Sequence, residues 1–186
     1  MTTKESIIEL AEKYMRGSGY HTFSFHDISR IVGIKTSSIH YHFPVKADLG
    51  EAVIKERLKR LKQLKEETSE SDPVKKMALF LSIYSRMGAE SNVCLAGSVA
   101  TGLPAMEEKI RNRIQELSGF IVEWVTEILE EGEQSGIFSF ETDAKTKALM
   151  IISTVMGMLQ LSRISDEPDE FRSVLRAILQ DLQKSR

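Results

Sequence analysis

All four histidines of this 186-residue chain lie in one short stretch, between His21 and His42. The segment GIKTSSIHYHFPVKADL, residues 33–49, carries two of them on either side of a tyrosine and just ahead of Pro44. Histidines grouped in this way can bind a metal ion, transfer protons in catalysis, or donate hydrogen bonds to another molecule. The residues around them decide between these three kinds of chemistry.

The spacing of the last two histidines argues against a metal site or a catalytic site. On one helix, His40 and His42 project about 200° apart, whereas helical zinc sites use ligands at positions i and i+4. No Cys, Asp or Glu lies between Asp27 and Asp48 to complete a ligand shell. The single cysteine, Cys94, is far along the chain and is expected to be a small buried residue rather than a nucleophile. We expect no metal, no cofactor and no enzymatic activity.

Hydrogen bonding to a partner fits the same segment better. A short helix over residues 36–42 needs to bury only Ile39 and, beyond its end, Phe43, while its other side chains are nearly all hydrogen-bond donors. Such side chains fix a protein on phosphate oxygens, and Lys, Ser and Thr also reach base edges in the major groove of DNA. A solvated surface helix is the alternative. The donors that we assign to DNA are Lys35, Thr36, Ser37, Ser38, His40, Tyr41 and His42.

The elements that position these residues are helices, since helical periodicity covers most of the sequence and no series of strands is visible. Pro73, Pro104 and Pro168 stand where helices are expected to start, and a missing N–H group costs nothing there. The pattern predicts an all-α protein of about nine helices, at residues 3–17, 25–32, 36–42, 46–67, 73–90, 94–100, 104–134, 143–164 and 168–183.

Two of these helices are short and are joined by a tight turn. Ser24 is expected to cap the first of them in a capping box with Asp27, and Gly33 to adopt a left-handed conformation at its end. Ile28 and Ile31 belong to the buried stripe expected for this helix. Two short helices around a glycine turn form the helix-turn-helix pattern.

The stretch AEKYMRGSGYHTFSFHDISRIVGIKTSSIHYHFPVKADL resembles the DNA-binding domain of TetR-family transcriptional regulators over about residues 4–55. The resemblance implies a dimeric, ligand-responsive repressor with a variable C-terminal domain. Ser24 and Lys46, which fall on the family pattern, join the candidate DNA-binding residues, and His26 beside Ser24 is a further candidate. The positions that match the family pattern are Gly19, Ser24, Asp27, Ile28, Gly33, Phe43, Lys46 and Leu49.

The sequence departs from the family pattern at two positions. His40 occupies the site usually held by a tyrosine that contacts phosphate, and Tyr41 follows it. Lys35 stands where a capping serine is usual, so we expect Thr36 to cap the recognition helix instead. A histidine can still donate to a phosphate, but its charge depends on pH near neutrality.

Charge and composition are compatible with a DNA-binding N-terminal part. The net charge is −2, yet residues 1–50 hold six Lys/Arg against five Asp/Glu, leaving −3 for the rest. One cysteine, no visible secretory leader and no plausible membrane span predict a cytoplasmic protein without a membrane partner. We expect a helix-turn-helix DNA-binding domain at residues 1–48 and a helical ligand-binding and dimerisation domain at residues 49–186.

The last two predicted helices indicate a dimer interface. From Ala144 to Leu161, eleven of eighteen residues are apolar and they spread around the helix axis, so this helix must be covered on more than one side. The following helix carries apolar residues at spacings of three and four. A monomeric helical core is the alternative. The candidate interface residues are Met156, Leu159, Phe171, Leu175, Ile178, Leu179 and Leu182.

The middle helices carry aromatic and sulfur-containing side chains at helical spacing. Such residues usually form core, but if a cavity exists, they would line it for an apolar or aromatic molecule. The candidate ligand-binding residues are Phe80, Tyr84, Met87, Phe120, Trp124 and Met150.

These features together predict a homodimeric transcriptional repressor that binds double-stranded operator DNA and is released by a small apolar or aromatic effector. A helical binding or scaffold protein that does not use DNA is the alternative.

Overall fold

The computed structural model describes residues 2–90, 92–100, 102–165 and 168–183. Within these ranges the regular structure is entirely helical, which confirms the all-α prediction. The helices are α1 Thr3–Gly17, α2 Phe25–Val32, α3 Thr36–His42, α4 Lys46–Glu67, α5 Pro73–Ala89, α6 Leu95–Ala100, α7 Glu108–Gln134, α8 Ala144–Ser165 and α9 Pro168–Leu182. Short 3-10 turns lie at Tyr20–Thr22 and Leu103–Ala105.

The chain forms two compact units. Unit 1 consists of residues 1–61 and 95–118, and unit 2 of residues 62–94 and 119–186. In unit 1, α1 packs on α2, α3 and α6, and α2 packs on α3. In unit 2, α5, α8 and α9 pack on one another. Helices α4 and α7 each begin in unit 1 and end in unit 2.

The two short helices of unit 1 are shaped by the signals expected from the sequence. The Oγ of Ser24 accepts from the N–H of Asp27, and the Asp27 carboxylate accepts from the N–H of Ser24, which completes a capping box at the start of α2. Gly33 ends α2 in the left-handed region, at φ 75° and ψ 33°. Ile28 is fully buried, but Ile31 is 55% exposed. The prediction that Ile31 belongs to the buried stripe was therefore wrong.

One helix start differs clearly from the prediction, because α7 begins at Glu108 rather than at residue 104. Pro104 lies instead in a 3-10 turn, and Met106 after it is extended, at φ −90° and ψ 156°. Its side chain is buried, and its carbonyl accepts a 2.6 Å hydrogen bond from Nη1 of Arg111. Burial of Met106 thus favours an extended residue where periodicity alone suggested helix. The other predicted helix ends lie within one residue of the observed ones.

In unit 2 a close approach fixes the end of α7. The chain turns back after this helix, and the buried Phe138 ring lies against Gly132. A Cβ atom at Gly132 would come within 2.0 Å of Cδ2 of Phe138. Any larger residue at this position would therefore push the ring out of its packed place.

Candidate nucleic-acid interface and ligand cavity

Helix α3 is seated by two apolar residues and presents its polar side chains outward. Ile39 is fully buried and Phe43, just after the helix, is buried as well. Tyr41 is 84% exposed. Of the other donors predicted for DNA, Lys35, Ser37 and His40 are exposed, and Thr36, Ser38 and His42 are half-buried.

A small polar cluster fixes the angle between α2 and α3. The hydroxyl of Thr36 donates to Oγ of Ser29 at 3.2 Å, and the hydroxyl of Ser29 donates to the carbonyl of His26 at 2.8 Å. Thr36 therefore does not cap α3 as expected. The N-cap is Lys35, which forms no side-chain cap. The threonine hydroxyl is engaged with the neighbouring helix because it lies one residue inside α3.

His40 is oriented by two contacts that also determine its hydrogen-bonding role. Its ring packs edge-on against Phe25, with centroids 4.9 Å apart, and its Nδ1 lies 3.2 Å from the carbonyl oxygen of Pro44. Because a carbonyl can only accept, we assign the proton to Nδ1, which leaves Nε2 as an acceptor in the neutral ring. Nε2 can then donate to a phosphate oxygen only when the ring is protonated. No group of three His, Cys, Asp or Glu able to hold a metal ion occurs in the described ranges.

The remaining candidate DNA-binding residues are Ser24 at the N-cap of α2, His26 in the first turn of α2 and Lys46 at the start of α4. Besides capping α2, Ser24 donates through its hydroxyl to Oδ2 of Asp27 at 2.7 Å. That hydrogen bond is the main reason why the pKa of Asp27 lies below its usual value. His26 is exposed in the first turn of α2.

Lys46 is turned towards the protein. Its ammonium group donates to the carbonyl of Phe23 and lies over two rings, 4.2 Å from the centroid of Phe23 and 4.9 Å from that of Tyr20. Burial lowers the pKa of Lys46, and the charges of Asp27 and Glu107 oppose this effect. In this arrangement Lys46 fastens the start of α4 to the loop before α2.

Unit 2 contains a cavity of about 440 Å³ between the end of α4, α5 and α7. Two of the predicted ligand-binding residues, Phe120 and Trp124, line it together with Ile128. Phe80 lies behind them, edge-on to Trp124 at 5.8 Å. The remaining lining residues are Lys62, Lys65, Glu66, Ser69, Lys76, Glu127 and Glu131.

Besides Phe80, three further predicted ligand-binding residues are not part of this lining. Tyr84 packs against Phe80, with ring centroids 5.2 Å apart, and is buried, as is Met87. Met150 lies on α8 and is exposed. The first two residues are core of unit 2, whereas Met150 belongs to its surface.

Two ion pairs join the helices that line the cavity. Lys76 on α5 forms a 2.7 Å ion pair with Glu131, and Lys65 on α4 pairs with Glu127. The Lys65 ammonium also lies 5.7 Å from the centre of the Phe120 ring. Sequence reasoning missed these residues because each pair joins different helices. The signal that could have found them is the spacing of Glu127 and Glu131, which puts both on one face of α7.

The residues predicted for a dimer interface divide into two groups. Leu159, Phe171, Leu175 and Leu182 are buried within the protomer, whereas Met156, Ile178 and Leu179 are half-buried. The apolar side chains that α8 leaves exposed are Leu149, Met150, Leu161 and Ile164. The exposed apolar surface of α8 thus lies beside the predicted positions rather than on them.

Helix α8 is unusually apolar for its exposure. In the described part of the chain, it is the one helix long and apolar enough to cross a membrane, with a mean hydropathy of 1.4, and only 28% of that window is buried. Length and composition alone are weak grounds for a membrane span. A helix packed against a second protein chain would have the same composition.

Two family models match the chain. The model described as bacterial regulatory proteins, tetR family, matches residues 7–53. The model described as tetracyclin repressor-like, C-terminal domain, matches residues 74–178, more than half of the chain.

Solved and curated proteins are similar over nearly the full length. The crystal structure of a TetR transcriptional regulator from Legionella pneumophila is 30% identical, with a TM-score of 0.89, covering 99% of this chain and 98% of that one. The structure of the transcriptional regulator FadR from Bacillus subtilis in complex with stearoyl-CoA is 23% identical, with a TM-score of 0.74 and 97% coverage of both chains. A fatty acid metabolism regulator protein from Bacillus subtilis (strain 168) is 23% identical over 177 residues, 94% of this chain and 90% of the relative.

Proposed function

The chain belongs to the TetR family of transcriptional regulators, and from this premise we propose that it is a cytoplasmic repressor that binds operator DNA as a homodimer. A small effector with an apolar or aromatic body releases it from DNA. The binding surface is α3 with the loop before α2, and the effector site is the cavity on α7.

The single observation that carries the DNA-binding role is the division of α3 into two faces. Ile39 and Phe43 anchor the helix in unit 1, so its outer face is held in a fixed position. That face carries hydroxyl, imidazole and amino groups, with Tyr41 almost fully in solvent. Donors on a rigid helix suit the major groove, where phosphate contacts position the protein and base contacts provide specificity.

The exposed apolar surface of α8 supports the dimer. Burying such side chains against a second copy removes them from water and favours association. A two-fold dimer presents two recognition helices, which read two half-sites when they are spaced by about 34–36 Å or a multiple of that distance. The proposed operator is accordingly a near-palindrome.

The aromatic floor of the cavity supports the effector. Phe120 offers apolar surface to a ligand, and the largely buried Trp124 also lines the cavity. The volume of about 440 Å³ is in the range of small-molecule sites. The similar FadR structure was solved with stearoyl-CoA, so acyl-CoA thioesters join aromatic compounds among the candidates. Because α4 and α7 each continue from unit 2 into unit 1, a ligand that changes them can alter DNA affinity. A coupling of about 1–3 kcal/mol would change that affinity roughly 5- to 150-fold.

A gel-shift titration with DNA from upstream of the gene tests the first half of the proposal. We expect the wild-type chain to form a complex that persists in the presence of competitor DNA. A His40→Ala/Tyr41→Ala double variant, shown to be folded by its unchanged circular dichroism, should form none. Equal binding by wild-type and variant would favour the alternative of a helical scaffold protein. An unbiased selection of bound genomic fragments extends the test to operators elsewhere.

The effector half is tested by operator affinity with and without a ligand found in a thermal-shift screen. We expect the ligand to weaken operator binding, and Phe120→Ala to abolish the response. Trp124 is less suitable for this test, because it is buried and its replacement by alanine would cost about 3–5 kcal/mol of stability. Ligands of unit 2 that leave operator affinity unchanged would contradict the effector role.

A further inference from the structure

The two members of each ion pair at the cavity differ in how far their side chains are exposed to solvent. The side chain of Lys76 is only 12% exposed, whereas its partner Glu131 is 47% exposed. In the second pair, Lys65 is also less exposed than Glu127. In each pair the lysine is therefore the less exposed side chain, clearly so for Lys76 and only slightly so for Lys65.

This asymmetry determines which charge can be exchanged. Glu131, whose side chain is 47% exposed, can turn into water and be hydrated there once another anion pairs with Lys76. The side chain of Lys76 is only 12% exposed, so leaving this lysine without a counter-ion would be costly. An incoming anion can thus replace Glu131 as the counter-ion of Lys76, whereas an incoming cation would have to displace a nearly buried lysine.

Lys65 lies between a carboxylate and an aromatic face. Its ammonium pairs with Glu127 and also stands near the Phe120 ring. A ligand whose apolar body packs on Phe120 would bring its charged group close to this second ammonium. The Phe120 ring and the two lysines thus favour the same kind of ligand, one with an apolar body and an anionic group.

We propose that the cavity binds amphipathic anions, with an apolar or aromatic body on Phe120, Trp124 and Ile128 and an anionic group that displaces Glu131 from Lys76. This inference rests on the proposed effector role of the same cavity and names the class of effector. The anionic group is a carboxylate or a phosphate, and the experiment separates these two sources.

Trp124 provides a direct readout of binding, because it is the single tryptophan of the chain and lines the cavity. Fluorescence titrations use four probes with the same phenylbutyl body, namely 4-phenylbutyrate, 4-phenylbutyl phosphate, 4-phenylbutanol and 4-phenylbutylamine. We expect the carboxylate to bind at least about 10-fold more tightly than the amine, with the alcohol between them. Saturation by 4-phenylbutyl phosphate but not by 4-phenylbutyrate would assign the anionic group to phosphate.

Three variants test the exchange of counter-ions. Glu131→Gln removes the competitor, so we expect the preferred anion to bind about 3- to 10-fold more tightly. Lys76→Met should weaken its binding by at least the same factor. The Lys76→Met/Glu131→Gln double variant is the matched control. Because it lacks both charges of the pair, it should bind 4-phenylbutyrate and 4-phenylbutanol with similar affinity. Thermal melting confirms that each variant is folded before its titration is interpreted.

Tighter binding of the amine than of the carboxylate, weaker anion binding by Glu131→Gln, or no binding of either anionic probe would each overturn the inference. Failure of the proposed function looks different. If the cavity binds anions but is not an effector site, an anionic probe would change Trp124 fluorescence and the three variants would alter its affinity as expected. Operator affinity measured in parallel would nevertheless stay the same.

Discussion

The ammonium group of Lys109, the second residue of α7, donates a hydrogen bond to Oδ1 of Asp48, the third residue of α4. The other oxygen of Asp48 accepts from the N–H of Val45 at 3.1 Å, at the start of the same helix. Beside this pair, Arg113 of α7 forms a 3.0 Å ion pair with Glu51 of α4. Two charged contacts within unit 1 thus fasten the beginning of α4, the helix that follows α3, to the beginning of α7.

The first prediction concerns acid stability. The hydrogen bond from Lys109 is the largest cause that holds the pKa of Asp48 below its usual 3.8. A carboxylate with a lowered pKa contributes stability that is present above 3.8 and is lost as pH falls through the lowered pKa. Asp48→Asn should therefore lower the free energy of unfolding at about pH 6, and the difference from wild type should shrink below pH 3.8.

Urea unfolding followed by circular dichroism at several pH values measures this difference. Glu9→Gln, on the exposed side of α1, controls for the removal of a carboxylate. A difference between wild type and Asp48→Asn that is the same at all pH values would contradict the assigned role of the ion pair.

The second prediction separates two lysines near the DNA-binding surface. Lys35 is exposed at the start of α3, so Lys35→Met should weaken binding to all DNA sequences alike and reduce the slope of log affinity against log salt by about 0.9. Lys46→Met should instead lower the melting temperature, because the Lys46 ammonium holds the carbonyl of Phe23. Fluorescence anisotropy at several salt concentrations gives the slopes. An unchanged slope for Lys35→Met would remove this residue from the interface.

The third prediction concerns the dimer. Ile164 is 81% exposed on α8 and Leu161 is exposed nearby, so Leu161→Glu/Ile164→Glu should give folded monomers. Val45→Glu, which adds a charge at an exposed apolar residue of unit 1, should leave the dimer intact. Leu175→Glu should unfold the chain instead, because Leu175 is buried in the protomer. Analytical ultracentrifugation, with circular dichroism to confirm folding, distinguishes these outcomes. A wild-type chain that is monomeric at tens of micromolar would refute the dimer.

The fourth prediction uses two glycines of one helix. Gly132→Ala should lower the free energy of unfolding by about 1–3 kcal/mol, because the new Cβ would collide with Phe138. Gly119→Ala is the matched control, since nothing lies within 4 Å of its Cβ position, and it should raise stability by up to about 1 kcal/mol. Chemical denaturation measures both. Equal effects of the two substitutions would mean that the Phe138 ring moves aside freely.

The sequence predicted the helices well because their signals are local. The capping box at Ser24 and the glycine at position 33 act within a few residues, and both were confirmed. Local signals fail where tertiary packing competes with them, as at Met106, whose burial keeps the chain extended before α7. Thr36 is a similar case, because a partner on another helix engages its hydroxyl.

The candidate sites were harder to predict because a periodic pattern shows that a helix face is apolar but not what covers it. Leu159 and Leu161 are two residues apart on α8, yet the first is buried in the protomer and the second is exposed. The ion pair of Lys76 and Glu131 joins residues 55 positions apart, a separation that no pattern in one sequence reveals. The side chains that we propose to bind DNA are close together in sequence, so helix α3 could be predicted directly.

If the exposed apolar surface of α8 forms the proposed dimer, it would also link the proposed repression to the concentration of this chain in the cell. Below the dissociation constant of the proposed dimer, the amount of paired protein rises with the square of the total, so halving synthesis would reduce it about four-fold. While the operator is not saturated, a change in expression would then alter operator occupancy more than it alters the concentration of repressor. An interface formed by one helix pair would in this way make the regulated genes sensitive to repressor dosage.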